Sequence, residues 1–165
     1  MISKLPHKIS TLIYAFNRQD ELLMMRRRSS PNAGLWSPFG GKLHGHHGES
    51  PHQCAARETQ EEIGLAVKPQ DFHLAAMVSE RAYERQTHWL MFMFELKVRL
   101  DRLPQPHDEG DFEFVPLVEV ARRPIPVTDH DILWPLFQKY RGGFFAVSII
   151  CHSDGKLSWE IDELF

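Results

Sequence analysis

The chain has little sulfur with which to cross-link itself: its 165 residues include two cysteines, Cys54 and Cys151, far apart and in no metal-ligand spacing. This excludes the disulfide scaffold of small secreted domains and a zinc finger, and a reducing cytoplasm is the expected setting. Long apolar runs are also missing. Residues 90–94 and 144–151 are the longest, well short of the ~20 needed to span a bilayer, and no secretory apolar segment opens the chain. Neither membrane insertion nor export is expected. Excess positive charge is lacking too. Lys and Arg number 19 against 22 Asp and Glu, a formal charge of −3, so no global attraction draws the chain to a nucleic-acid polymer. Repeats, heptads and low-complexity tracts are absent. What remains is enough chain for one domain, residues 1–165, with a core that needs no disulfide.

Short mixed elements are expected to build it. Residues 8–16 and 21–25 read as a strand pair around turn residues 17–20. Residues 29–48, crowded with Ser, Pro, Asn, Gly and His, read as loop with extended pieces around 35–39. A helix follows, with Ser50 as cap, Pro51 in its first turn, Gln53 completing a capping box and Gly64 as its stop. Residues 73–78 and 88–98 read as strands, the second apolar enough for a central position. Residues 103–110 form a loop, 112–117 a strand and 118–123 a helical turn. A last helix, capped by Thr128 or Asp129, runs to about Tyr140, and a closing hairpin joins 144–151 to 157–161 through Ser153-Asp154-Gly155. The class is mixed α and β, with a largely antiparallel or mixed sheet.

The informative stretch is Arg57-Glu58-Thr59-Gln60-Glu61-Glu62-Ile63-Gly64-Leu65. At about 100° per residue, Glu58, Glu61 and Glu62 share one helix face near its negative end, where like charges are unfavourable and a compensating cation is expected. Hard oxygen ligands of this type suit Mg²⁺ or Mn²⁺, which also bind substrate phosphates. Arg57, one turn before Glu61, can orient it by a charged hydrogen bond. Standing alone, the fragment would better fit an ordinary solvated helix face.

It stands behind Gly40-Gly41-Lys42 and Gly48-Glu49. Together these residues resemble the Nudix box: Gly, five residues, Glu, seven residues, Arg-Glu-hydrophobic-x-Glu-Glu-x-Gly-hydrophobic. Seven residues separate Glu49 from Arg57, as the pattern requires. Thr59 departs from the usual aliphatic residue, and seven residues rather than five separate Gly41 from Glu49. Loops absorb such insertions at low cost. The resemblance implies an α+β fold (an α/β/α sandwich), the Nudix fold with its mixed sheet between helices, and Mg²⁺-dependent hydrolysis, with Mn²⁺ as alternative, of a nucleoside diphosphate linked to a further group. It assigns metal binding to Glu58, Glu61, Glu62 and the Gly40 carbonyl, orientation of the glutamates to Arg57, and support to Gly41, Glu49 and Gly64.

Further pieces are similar to the MutT-like branch, which hydrolyses purine nucleoside triphosphates, including the animal enzyme that removes oxidised ones. They are residues 24–28, 34–42, Asp108-Glu109-Gly110 and Asp129-His130. That similarity implies that Glu109 reaches the metal and that Asp129 accepts hydrogen bonds from a purine edge. It makes Arg27, Trp36, Ser37, Phe39 and Lys42 candidates for substrate contact, with Ser37 standing where the animal enzyme has a base-reading Asn. Glu58, Glu61 and Glu109 are the candidate general bases. Duller readings stand beside these: Asp129 as a helix cap alone, Trp36 and Phe39 as packing groups. His44, His46 and His47, with His52 nearby, could bind a transition metal or form an exposed loop. The expected reaction cleaves a purine nucleoside triphosphate, such as 8-oxo-dGTP, to the monophosphate and pyrophosphate. Rival readings are another Nudix substrate, such as a nucleotide sugar or dinucleoside polyphosphate, and a non-catalytic nucleotide-binding module. Oligomeric state is not legible.

Overall fold

Alternating side chains on the first two strands divide the interior in two. In the computed structural model, which describes residues 4–106 and 108–165, β1 spans His7–Tyr14 and β2 spans Leu22–Arg27. Tyr14, Phe16, Leu22 and Met24 enter one buried cluster, whereas Ile13, Ala15, Leu23 and Met25 enter another, as the period of two requires. The expected pairing of these strands is corrected. Their contact ends at the Phe16–Leu22 bridge and at the Leu23 N–H donating to the Ala15 carbonyl at 2.8 Å. Both strands are apolar on two faces, so each becomes part of a covered layer rather than half of a lone ribbon.

The larger sheet has the order β1-β5-β4-β7-β8, with β4 at Phe72–Tyr83, β5 at Thr87–Leu96, β7 at Phe145–Cys151 and β8 at Leu157–Leu164. The β1/β5 and β4/β7 pairs are parallel, and the β4/β5 and β7/β8 pairs antiparallel, so the sheet is mixed, β5 is internal and the closing hairpin is present. A smaller sheet sets β2 between β3 (Trp36–Ser37) and β6 (Gly110–Val115). Helix α1 (Pro51–Ile63) lays Ala55 on the cluster of Ile13, Phe39 and Phe94. A short α2 (Leu117–Val120) follows β6. On the opposite cluster lie Ile132 and Leu133 of a π-helical turn (Asp129–Leu133) and Trp134, Leu136 and Phe137 of α3 (Trp134–Lys139). Helix, sheet and helix are layered as expected. Of the loop expected over 103–110, His107 lies outside the described residues.

The last helix begins differently from expectation. Thr128 has helical backbone angles and makes no side-chain cap bond, and Asp129 lies within the helix. The His130 N–H already donates to the Pro126 carbonyl at 2.9 Å, so the first turn closes without a side-chain cap. The Trp134 N–H then reaches the Asp129 carbonyl, five residues back. Such one-residue expansions recur at functional sites.

Candidate active site

Helix α1 is fixed at both ends by local chemistry. The Ser50 hydroxyl accepts from the Gln53 N–H at 3.1 Å and the Gln53 side-chain oxygen accepts from the Ser50 N–H at 2.8 Å, worth about 1 kcal/mol or somewhat more for the box. Gly64 ends the helix in the left-handed region, its N–H donating to the Gln60 carbonyl at 3.1 Å. Thr59, the departure from the box, is fully buried and donates its hydroxyl to the Ala55 carbonyl at 2.7 Å. That bond satisfies the one polar atom the substitution brings into an apolar position.

Arg57 binds the parts of the site together. Its Nε and Nη2 donate to the two oxygens of Glu49 at 2.7 and 3.1 Å, Nη1 donates to Glu58 at 2.7 Å and Glu61 at 2.9 Å, and Nη2 also reaches the Lys42 carbonyl at 3.1 Å. The guanidinium fork suits this many oxygens as a lysine could not. The hydrogen bonds from Arg57, with the His44 N–H at 2.9 Å, hold the Glu49 carboxyl down to about 2. The lengthened loop contains a 3-10 turn, Gly45–His47, and the fork to Glu49 is made beside it. In that turn the histidines are exposed.

Two box carboxylates are taken out of water. Glu58 is 8 % exposed and Glu62 6 %. Burial raises the pKa of both; the negative charges of Glu61 and Glu109 add to it at Glu58, and those of Glu109 and Glu58 at Glu62, where the positive charge of Arg27 acts in the opposite sense. Glu109, from the turn before β6, thus stands close enough to act on both helix carboxylates, and its backbone carbonyl accepts from the Arg28 N–H at 2.9 Å. Among the described residues no three His, Cys, Asp or Glu side chains form a ready metal site; Glu58 and Glu61 are turned onto Arg57 instead.

Gly40 and Gly41 permit the close approach of these groups. A β-carbon on Gly40 would stand 2.0 Å from the Thr11 carbonyl oxygen of β1, and one on Gly41 would stand 2.3 Å from the Glu58 carboxylate. The Gly41 carbonyl accepts from the Thr11 N–H at 2.8 Å. The glycine pair is therefore pressed between β1 and the acidic helix.

The remaining sequence candidates separate. Arg27 donates from Nε to the Pro31 carbonyl at 2.8 Å and acts electrostatically on Glu62. Lys42 exposes its side chain, while its carbonyl serves Arg57. Trp36 is half-buried under the Arg123 guanidinium, 5.4 Å from its ring centroid, and Ser37 is 7 % exposed opposite Met25. Phe39 is corrected: at 1 % exposure it packs in the core with Ile13 and Phe94 and is not presented to a ligand. Its position between two glycine-rich turns concealed that its side chain follows the inward alternation of its neighbours.

Asp129 lies apart from the glutamate helix, on the opposite cluster's side, where burial pushes it up to about 7. Within electrostatic reach of it is a residue that the sequence reading missed. Glu80, on the part of β4 that runs past the expected strand end, is 3 % exposed, and burial followed by the charge of Asp129 raises it to about 7. The signal was available, since Ala76, Val78 and Glu80 share one strand face.

The NUDIX domain family model matches residues 6–134. Among solved structures, the chain is similar to the mutator MutT protein of Bacillus halodurans at 22 % identity and a TM-score of 0.74, covering 94 % of this chain and 97 % of that one. MutT from Methanosarcina mazei Go1 shows 23 % identity and 0.69, with 84 % and 98 % covered. The Nudix domain of Shewanella oneidensis NrtR, solved with ADP-ribose, shows 17 % and 0.64, with 83 % and 88 % covered. At such identities the structural likeness speaks to the fold, whereas the domain match extends over most of the chain and includes the whole box, so that the chain belongs to the Nudix family of pyrophosphohydrolases.

Proposed function

We propose that the protein hydrolyses a purine nucleoside triphosphate, oxidised purines included, to the monophosphate and pyrophosphate in the cytoplasm. The observation that carries this reading is the gathering of Glu58, Glu61, Glu62 and Glu109, with Glu58 against the Gly40-Gly41 turn and Arg57 as the common donor to Glu58 and Glu61. Buried carboxylates that raise one another's pKa fit a hard divalent cation. Glu58, Glu61, Glu62, Glu109 and the Gly40 carbonyl would hold Mg²⁺, or Mn²⁺ in its place. When bound, such an ion supplies charge neutralisation at the phosphates and a more acidic water.

The chain's own residues do the rest. Arg57 holds Glu58 and Glu61 in line with the Glu49 side of the loop. Glu58, Glu61 and Glu109 are the candidates to take the proton from the attacking water. Arg27 and Lys42 meet phosphate oxygens, while Trp36, Ser37 and Asp129 meet the nucleoside, Asp129 through the purine edge.

A second reading, hydrolysis of another nucleoside diphosphate derivative, draws support from the similar fold of the Shewanella domain solved with ADP-ribose. A silent binding module is disfavoured by the presence of every box glutamate. No helix among the described residues is long and apolar enough to cross a membrane, and the charge of −3 favours a nucleotide over a polymer. The test is a screen of canonical and oxidised nucleoside triphosphates, nucleotide sugars and dinucleoside polyphosphates with Mg²⁺, reading kcat/KM and product. Pyrophosphate release that stops with a chelator is expected. A sugar phosphate product without pyrophosphate would select the second reading.

A further inference from the structure

The end of β4 is bent out of its own alternation. Ala76, Val78 and Glu80 share one face, so strict alternation would put Ala82 on that face and turn Tyr83 away from it. The pairing with β5 does not stay strict. Glu80 lies opposite Trp89 but Tyr83 opposite Thr87, so β4 carries one residue more than its partner over this step. The bulge returns Tyr83 to the face of Glu80. Ala82 takes up the extra length in the left-handed region, at φ 60°, a conformation costly to a residue with a β-carbon, and its N–H donates to His88 Nδ1 at 3.0 Å. Glu84 and Arg85 in the turn that follows are left-handed as well, at 48° and 58°. Backbone held in such conformations clusters where a fold must aim a side chain.

Tyr83 is aimed at the loop between β2 and β3. Its hydroxyl donates to the Asn32 side-chain oxygen, 51 residues away in the chain. Pro31, Ala33 and Gly34 are exposed, whereas Asn32 between them is half-buried. The loop is rooted on Arg27. The Arg27 N–H donates to the Leu35 carbonyl at 2.9 Å, the Gly34 N–H to the Arg27 carbonyl at 2.7 Å, and Arg27 Nε to the Pro31 carbonyl at 2.8 Å. Arg27 itself lies opposite Gly110, the residue after Glu109, and its charge acts on Glu62, so it stands at the border of the glutamate site. A guanidinium is planar, and fixing one of its nitrogens sets the direction of the other two. We propose that Tyr83 is a positioning residue for the triphosphate: through Asn32 and the Pro31 carbonyl it fixes the direction in which Arg27 offers its guanidinium. This rests on the reading above that Arg27 meets phosphate oxygens. The larger sheet thereby holds an arm of the smaller one, and the arm is ordered before the substrate arrives, which lowers the cost of binding without changing the chemical step.

The experiment is steady-state hydrolysis of dGTP and 8-oxo-dGTP with Mg²⁺ by the full chain, arranged as a double-mutant cycle between Tyr83→Phe and Arg27→Ala. Tyr83→Phe removes one hydroxyl and should raise KM about fivefold, with kcat within about twofold of native. Arg27→Ala should raise KM by more, and in its background Tyr83→Phe should add nothing, because the group it positions is gone. Asn32→Ala removes the acceptor instead of the donor. It should repeat the Tyr83→Phe change without adding to it, and it carries the test if Tyr83→Phe folds poorly. A tyrosine with a merely structural role would add its full effect to that of Arg27→Ala. Such additivity, or a KM that neither Tyr83→Phe nor Asn32→Ala moves, overturns the proposal. An Arg27→Ala variant with native KM overturns the assignment of Arg27 to phosphate, and this inference with it. Turnover of neither nucleotide by the native chain overturns the purine triphosphate reading itself, and both fall together.

Discussion

Arg57 holds Glu49 with two parallel hydrogen bonds, Nε to Oε1 at 2.7 Å and Nη2 to Oε2 at 3.1 Å, across a loop two residues longer than the family pattern. Because Nη1 of the same guanidinium serves Glu58 and Glu61, a single planar group relates the loop to the acidic helix. A lysine cannot make the fork and the helix contacts together. Arg57→Lys is therefore expected to lower kcat by about 10²-fold, with the loss coming from misplaced glutamates. Steady-state kinetics with the fold verified by circular dichroism checks this.

Removing a carboxylate should separate activity from stability. Glu61→Gln and Glu62→Gln are each expected to cost on the order of 10²-fold in kcat. Glu62→Gln should also stabilise the metal-free protein. Burial, Glu109 and Glu58 raise the Glu62 pKa, and a carboxyl raised in the folded state has its favourable contribution at low pH and loses it as pH rises through the folded pKa. The variant's gain in Tm should be small at pH 4 and grow to a few degrees at pH 8 in thermal melts with chelator.

The acids Glu80 and Asp129 give the same sign in a defined window. Their ordinary values, 4.5 and 3.8, lie below folded values of about 7, so between about pH 4 and 7 the folded chain holds protons that the unfolded chain has released. Stability should fall as pH rises through that range and level off above it. Calorimetry across the window should show the fall, and Glu80→Gln should remove a large part of it, on the order of 2 kcal/mol at pH 8. Melting temperatures that rise from pH 5 to 7 in the native chain would count against this.

Gly41→Ala places a β-carbon where the Glu58 carboxylate now sits, at 2.3 Å. The side chain must swing away and loosen its bond to Arg57, so kcat should fall at least tenfold while Tm changes by a few degrees at most. Equal loss of both would mark Gly41 as a folding residue instead.

Much of the glutamate site was legible because it is local: box spacing, the Ser50–Gln53 cap and the Gly64 stop all act within one helix and its flanks. Strand positions followed from apolar, β-prone runs between turn residues for the same reason. What was hidden depends on distant chain. The separation of β1 from β2 is decided by β5, β3 and β6, which supply each strand with its neighbours. Phe39 was open between substrate contact and packing, and the bridge to Ile13 that puts it in the core comes from a strand 26 residues earlier. The π-helical turn at Asp129 has no sequence signature, and Glu80 gains its meaning from Thr128 and Cys151, 48 and 71 residues away in the chain.

The Gly45–His47 turn bears on what can be attached to the protein. It belongs to the loop that leads into the Arg57–Glu49 clasp, and all three of its residues are exposed. A short peptide tag or a fluorophore anchored there would report from beside the reaction centre without entering it, and its three nearby imidazoles, His44, His46 and His47, already offer a handle for immobilisation on a metal-chelate surface.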